Sequence, residues 1–267
     1  VKNICDKRNS LNHFQLNKEG VIGIMGAMPE EVTNMLELLE NSSVETIGNR
    51  TYHTGSINKQ KVAIVFSRWG KVAAAATATT LILHFKATKI IFTGVAGAID
   101  NLLNVGDIVI GEKFYQHDMD ARPLMQEFEI PLLQKTYFES DAQLKSITYQ
   151  KLKAAKLQNS FDLKIPDNNA DLVNITPQIC FGDIASGDHF FADTASKNKL
   201  KQKLPSVFCV EMEGAAVAQV CYELQVPFIV IRVISDKADG HSSIDFKRFT
   251  ENIAGKFSKK IIECIFN

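Results

Sequence analysis

The stretch Val21-Ile22-Gly23-Ile24-Met25-Gly26-Ala27-Met28-Pro29-Glu30-Glu31-Val32 decides the fold class. Its first six residues form an apolar run ending in glycine, the pattern of a strand buried on both faces. Pro29 suits the first turn of a helix, where a missing N–H forfeits no hydrogen bond, and Glu30 and Glu31 suit the positive end of the helix dipole. Val32, Met35, Leu36 and Leu39 continue that helix with an apolar face. A strand, a tight loop and a helix in succession open an α/β unit. Working outward, apolar runs predict further strands at 62–67, 90–93, 108–110, 207–210 and 228–234, with helices over 72–85 and 215–224. This alternation argues for an α/β protein built on a central sheet. Residues 150–178 combine Lys, Asn and Asp with Pro166 and Pro177 and read as a surface excursion between core elements. Strand signals resume at Cys180, so one domain over 21–267, preceded by a polar extension at 1–20, is preferred to two domains.

With 45% hydrophobic and 22% charged residues in a chain of 267, there is material for a sizeable core, which argues against disorder and fibrous architectures. Thirty Lys and Arg balance thirty Asp and Glu. A net charge of zero gives no global electrostatic case for nucleic acid or a membrane surface, so a small molecule or another protein is the expected partner. Cysteines stand at 5, 180, 209, 221 and 264, with no CxxC pair and an odd total, which indicates neither a disulfide framework nor a zinc knuckle. A reducing cytoplasm fits that usage. No apolar run reaches the roughly 18 residues of a spanning helix, and no signal peptide is evident. Because the chain begins with Val1, periplasmic export stays open should an upstream segment have been removed.

Ligands of open α/β sheets bind beyond the carboxyl ends of strands, which directs attention to polar residues that follow apolar runs. Residues 26–31, ending in Glu30-Glu31, are the first such place, with surface glutamates complementing a helix dipole as the bland alternative. The second is Thr93-Gly94-Val95-Ala96-Gly97-Ala98, whose glycines admit a ligand close to the backbone, or equally a helix close to a strand. It lacks the GxGxxG spacing, and no P-loop occurs, which weighs against dinucleotides and nucleoside triphosphates. At the third, Val210-Glu211-Met212-Glu213-Gly214, two carboxylates sit among apolar residues. They are not read as twin ligands of one ion; a hydrogen-bonding ligand or a buried arginine is the expected partner. The fourth is the strand 228–236, interrupted by Arg232 and ending on Ser235-Asp236. Arg232 would face a site or an ion-pair partner and Asp236 could serve as a general acid, although the two might also satisfy one another.

In order and spacing, GAMPEE, TGVAGAI, VGDIVI, SGDHFF, VEMEGAAVAQVC and VPFIVIRVISDKAD resemble the nucleosidases that cleave 5′-methylthioadenosine and S-adenosylhomocysteine. The resemblance runs from about Val21 to the C-terminus. It implies a three-layer α/β phosphorylase-like fold around a central mixed, partly barrel-like sheet, a homodimer, adenosine thioethers as substrates, and neither metal nor cofactor. Matched residue by residue, it makes Asp236 the acid that protonates adenine N7, oriented by Ser235, and Glu31 the base that activates water, with Arg232 near that water. Glu213 would bind the ribose hydroxyls, with Met212 and Val210 beside the sugar. Phe190 would stack on adenine, while the Phe191 backbone reads its Watson–Crick edge. Ala27 and Met28 would border the site and Phe246 the 5′-alkylthio pocket, with Ala121 and Leu124 reaching into the partner subunit's site.

A phosphate-dependent phosphorylase is the nearest alternative, since that activity shares the fold. In the phosphorylases the first loop carries an arginine for the anion, whereas Glu30 and Glu31 here would repel it, so hydrolysis is favoured. Val95 stands where some nucleosidases place serine, which puts hydroxyl assistance to water or ribose in doubt. Trp69 replaces a smaller apolar residue near the sugar and either reshapes the 5′ side or packs in the core. A catalytically silent nucleoside binder is a further alternative, but it would have no need of an acid–base pair. His117-Asp118-Met119-Asp120, His189 and His241 are assigned no catalytic role.

Overall fold

The structure, a computed structural model, describes residues 20–157, 163–166 and 172–267. Its elements in chain order are β1 (Val21–Gly26), α1 (Pro29–Leu36), β2 (Glu40–Ile47), β3 (Arg50–Ile57), β4 (Gln60–Phe66), α2 (Lys71–Leu83), β5 (Ala87–Ala98), β6 (Ile108–Gln116), β7 (Phe138–Glu139) and α3 (Ala142–Leu157). There follow β8 (Leu163–Pro166), β9 (Leu172–Ile175), β10 (Ile179–Ser186), α4 (Thr194–Lys203), β11 (Val207–Glu211), α5 (Gly214–Glu223), β12 (Phe228–Asp236), α6 (Ser242–Phe249), a π-helical turn (Thr250–Ala254) and α7 (Gly255–Phe266).

Among the described residues a ten-stranded sheet runs β11-β10-β6-β12-β5-β1-β4-β3-β2, with β7 on β6. β12 lies parallel to β5 and antiparallel to β6, and it is buried at every position, which is why its sequence reads as an unbroken apolar run. β11 also pairs antiparallel with β5, so β5, β12, β6, β10 and β11 close into a five-stranded barrel. This closure places the chemistry: Gly97 of β5 lies opposite both Val210 of β11 and Asp236 of β12, while Gly94 lies opposite Arg232.

Helices cover the sheet on two sides, completing the three layers. Ala74, Ala78 and Leu81 of α2 pack with Ala215, Val217 and Ala218 of α5 in one apolar cluster. On the other side Val32 and Met35 of α1, Leu144 and Leu152 of α3, and Phe257, Ile261 and Ile265 of α7 share a second. Each buried Val, Leu, Ile, Phe or Met among these stabilises the fold by roughly 1.5–3 kcal/mol relative to leaving it exposed. No helix among the described residues is long and apolar enough to cross a membrane.

Several sequence expectations change. α1 stops at Leu36, so Leu39 falls in the turn that follows. β5 continues through both glycines to Ala98, because pairing on both edges supplies the hydrogen bonds that hold an otherwise permissive segment extended. Residues 150–157 belong to α3, and 163–166 pair with 172–175 as a hairpin, within what reads as an excursion. The hairpin of β2 and β3 and helix α4 were not predicted. β2 carries no apolar alternation and α4 is largely Lys, Asn and Ser, so neither announces a buried face. The polar extension at 1–20 lies, apart from Gly20, outside the described residues.

Candidate active site

Where β1, β5, β11 and β12 end, a cleft opens to solvent. Its walls are Ala27, Met28, Glu31, Trp69, Val95, Ala96, Gly97, His189, Phe190, Phe191, Val210, Glu211, Met212, Glu213, Ser235, Asp236 and Phe246. The four segments singled out in the sequence therefore meet in one place.

Glu31 is fully buried at the start of α1 and turns back on its own N-terminus. Its Oε2 accepts from the N–H groups of Ala27 at 2.6 Å and Met28 at 3.1 Å, and Oε1 accepts from Val95 at 3.1 Å. Burial pushes the carboxyl from 4.5 to about 7, against the lowering influence of Arg232 and of those three donors. Gly94 is what lets Glu31 lie there. A Cβ at that position would come within 3.0 and 3.2 Å of the Glu31 oxygens and 3.3 Å of Arg232 Nη1.

Glu213 follows β11 and is buried as well. Its Oε1 accepts from the Gly70 N–H at 2.8 Å, and Gly70 takes φ of +90°, a conformation that favours glycine, just before α2. Burial, reinforced by the charge of Glu211, raises Glu213 from 4.5 to about 8. Glu211 is the partner that Arg232 has chosen. Arg232 Nη2 and Nε both donate to Glu211 Oε2, at 2.6 and 3.2 Å, and the guanidinium carbon lies 4.1 Å from the Phe92 ring centroid. The alternative that paired Arg232 with Asp236 is thus corrected: the arginine turns toward β11, behind the cleft wall, and is not among the lining residues.

Asp236 ends β12 with 2% exposure. Its Oδ2 accepts from Ser235 Oγ at 2.8 Å and Oδ1 from the Ala238 N–H at 2.8 Å. Burial raises its pKa above the ordinary value, opposed by hydrogen bonds from Ser242, Ala238 and Ser235. Aromatic rings close the rest of the cleft. Phe190 meets Phe246 edge-on at 5.4 Å, Phe246 meets Trp69 at 6.2 Å, and Phe191 lies 5.2 Å from His117 and 5.3 Å from His189. Trp69 is 58% exposed, which excludes the reading that it packs in the core. Met28, Trp69 and Phe246 also border an outer trough that continues past Glu30, Arg68, Lys247 and Glu251.

Ala121 and Leu124 do not line this cleft; they lie in the loop between β6 and β7, where Leu124 is 87% exposed. In the same loop Asp120 is taken up by Arg122, and just before it Asp118 by Lys71. Sequence reasoning expected a ligand or a buried arginine beside Glu211 without choosing between them, and gave no role to His189; both are cleft residues. The expectation of a buried arginine beside the two glutamates was the signal that could have identified Glu211.

A model of the phosphorylase superfamily matches residues 21–267. The 5′-methylthioadenosine/S-adenosylhomocysteine nucleosidase of Staphylococcus aureus is 36% identical over 242 residues, covering 90% of this chain and 97% of that protein. Among solved structures, the S-adenosylhomocysteine nucleosidase of Streptococcus pyogenes, bound to 5-methylthiotubericidin, superposes with a TM-score of 0.79 at 34% identity over 92% of this chain and 95% of that one. Futalosine hydrolase of Helicobacter pylori superposes with a TM-score of 0.79 at 30% identity over 92% and 97% of the two chains.

Proposed function

The chain belongs to the phosphorylase superfamily and, within it, to the 5′-methylthioadenosine/S-adenosylhomocysteine nucleosidases, and we propose that its cleft uses water to break the N-glycosidic bond of those two nucleosides, releasing adenine and the 5′-thio-substituted ribose. The observation that carries hydrolysis is the acidic character of the wall: Glu31, Glu211, Glu213 and Asp236 line it, and no Lys or Arg among the described residues does. A phosphate nucleophile needs a cation to hold it, whereas water needs a base.

Asp236, whose carboxyl burial pushes toward the protonated form, gives its proton to adenine N7 as the C1′–N9 bond breaks and the electron pair of that bond leaves with the base. Ser235 orients the carboxyl. Glu31 takes a proton from water while the water oxygen bonds to C1′, and a pKa of about 7 suits a base working at neutrality. Two carboxyls held in opposite protonation states divide the acid and base roles. Ribose hydroxyls donating to Glu213 favour its carboxylate, which then faces the positive charge developing at C1′. Phe190 stacks on adenine and the Phe191 backbone reads its edge, with Ala27, Met28, Val210 and Met212 beside the sugar. Phe246 and Trp69 flank the 5′ substituent, and the outer trough gives a homocysteinyl group room that a methyl group does not need.

A homodimer is part of the same proposal. α2 is apolar around its circumference, yet Val72 is 82% and Leu83 54% exposed, and a helix of that character is ordinarily covered. With Leu124 and Ala121 reaching to a second copy, each cleft would be completed by its partner. Sedimentation should give the mass of two chains at micromolar concentration; a single-chain mass would overturn it. The four cysteines among the described residues are unpaired, which supports a cytoplasmic location. Adenine release from 5′-methylthioadenosine in phosphate-free buffer tests the reaction. Full activity without phosphate is expected, and strict phosphate dependence would assign the chain to the phosphorylases instead.

A further inference from the structure

Glu211 lies in the cleft wall, 8% exposed, and the chemistry above gives it no proton to move. We infer that Glu211 is a positioning residue: it commits the Arg232 guanidinium to itself, and so fixes the backbone of Glu213 and sets the charge that Glu31 feels. The inference rests on the hydrolase reading for its catalytic consequence, but its geometry stands alone.

Five donors converge on this one carboxylate. The Ser186 hydroxyl reaches Oε1 from β10, and the Gly214 N–H lies 2.9 Å from Oε1 and 2.8 Å from Oε2. The Glu213 N–H donates to Oε2 at 3.2 Å, beside Arg232 Nε and Nη2. So dense a set of donors leaves the carboxylate little freedom to turn. It also pins the strand-to-helix junction that aims the Glu213 side chain.

The guanidinium has a choice of partners that the fold decides. Three buried glutamates, Glu31 from α1 with Glu211 and Glu213 from β11 and the junction after it, surround one buried arginine. Arg232 spends Nε and Nη2 on Glu211, while Nη1 donates to the carbonyls of Ile231 at 3.2 Å and Phe92 at 3.4 Å. Glu31 lies across Gly94 from Nη1 without a direct ion pair, yet the arginine charge still lowers it, offset only in part by Glu211. His117, from the loop after β6, and Cys209 of β11 also feel Glu211. Both are buried enough to favour their neutral forms, which leaves Arg232 as the charge to be balanced.

A merely structural Glu211 and a positioning Glu211 differ in their pH profiles. In Glu211→Gln the freed arginine charge favours the carboxylate of Glu31. The acid limb of kcat/KM should then move down by about one pH unit or more. Removing both charges, in Glu211→Gln/Arg232→Met, takes the cation from Glu31 and should move the acid limb up instead. Replacing a buried pair together also avoids an orphaned charge, so the double variant should be the more stable of the two. Glu211→Asp, which restores the charge, should return the limb toward wild type. Acid limbs that stay at the wild-type pH in both the single and the double variant overturn the inference. A wild-type chain that cleaves neither nucleoside sinks the hydrolase reading instead. The inference is then decided by carboxyl carbon-13 titration of Glu31 in the ligand-free chain, where the same opposite displacements are expected and none would refute it.

Discussion

Asp236 and Asp120 carry the same carboxyl group into opposite circumstances. Asp120, in the loop between β6 and β7, is exposed and gripped by Arg122 Nε at 2.9 Å and Nη2 at 2.6 Å, and those bonds hold it well below the usual carboxylate range. Asp236 accepts hydrogen bonds from Ser235, Ala238 and Ser242, yet burial outweighs them and its pKa rises. The same holds for Glu31 and Glu213, raised to about 7 and about 8. Hydrogen bonding alone does not decide the proton; desolvation against the available countercharge does. Behind the cleft wall one arginine serves three glutamates, and it is committed to one. Exposed pairs such as Asp120–Arg122 are screened by water and salt and contribute little.

The largest effect expected from this contrast is on Glu31. Glu31→Gln should lower kcat for 5′-methylthioadenosine by about 10²–10⁴-fold, the range typical of losing a general base, in a steady-state assay; retained turnover would move the base elsewhere. The same variant should be more heat-resistant than wild type above neutral pH. A raised carboxyl binds its proton in the folded chain where the unfolded chain has lost it, so wild-type stability declines as pH rises from 4.5 through about 7 for Glu31 and about 8 for Glu213. Calorimetry of the ligand-free protein between those limits should show the decline, reduced in Glu31→Gln.

Gly94→Ala comes next, because its methyl would press on both Glu31 oxygens and Arg232. A loss of about 1–3 kcal/mol in denaturant unfolding is expected from such overpacking, accompanied by weaker hydrolysis; an unchanged midpoint would mean that the wall yields. The smallest effect belongs to the exposed pair. Asp120→Asn should leave kcat within about twofold of wild type, in keeping with the small worth of exposed pairs. A large drop would show that this loop does more than its surface ion pair suggests.

Much of this contrast was legible in the residues. β1 and the core of β12 follow from unbroken apolar runs, and a carboxylate placed at the end of such a run, as in Asp236, marks the cleft end of the sheet. The acids after β11 pointed to a buried arginine, but which of the two would hold it was not legible. That depends on the closure of β11 onto β5, a pairing between residues more than a hundred positions apart. β2 and α4 escaped notice because they bury little of their own surface. Trp69 was visible as an oddity, and only the placement of Phe246 across from it turns that oddity into a wall of the cleft.

The central claim is that burial makes Asp236 the acid that releases adenine. It is tested most directly by comparing Asp236→Asn with wild type for adenine release from 5′-methylthioadenosine, alongside binding of a non-hydrolysable analogue. The account predicts kcat reduced by about 10²–10⁴-fold with analogue affinity close to wild type. Near-normal kcat in a folded Asp236→Asn chain would contradict it.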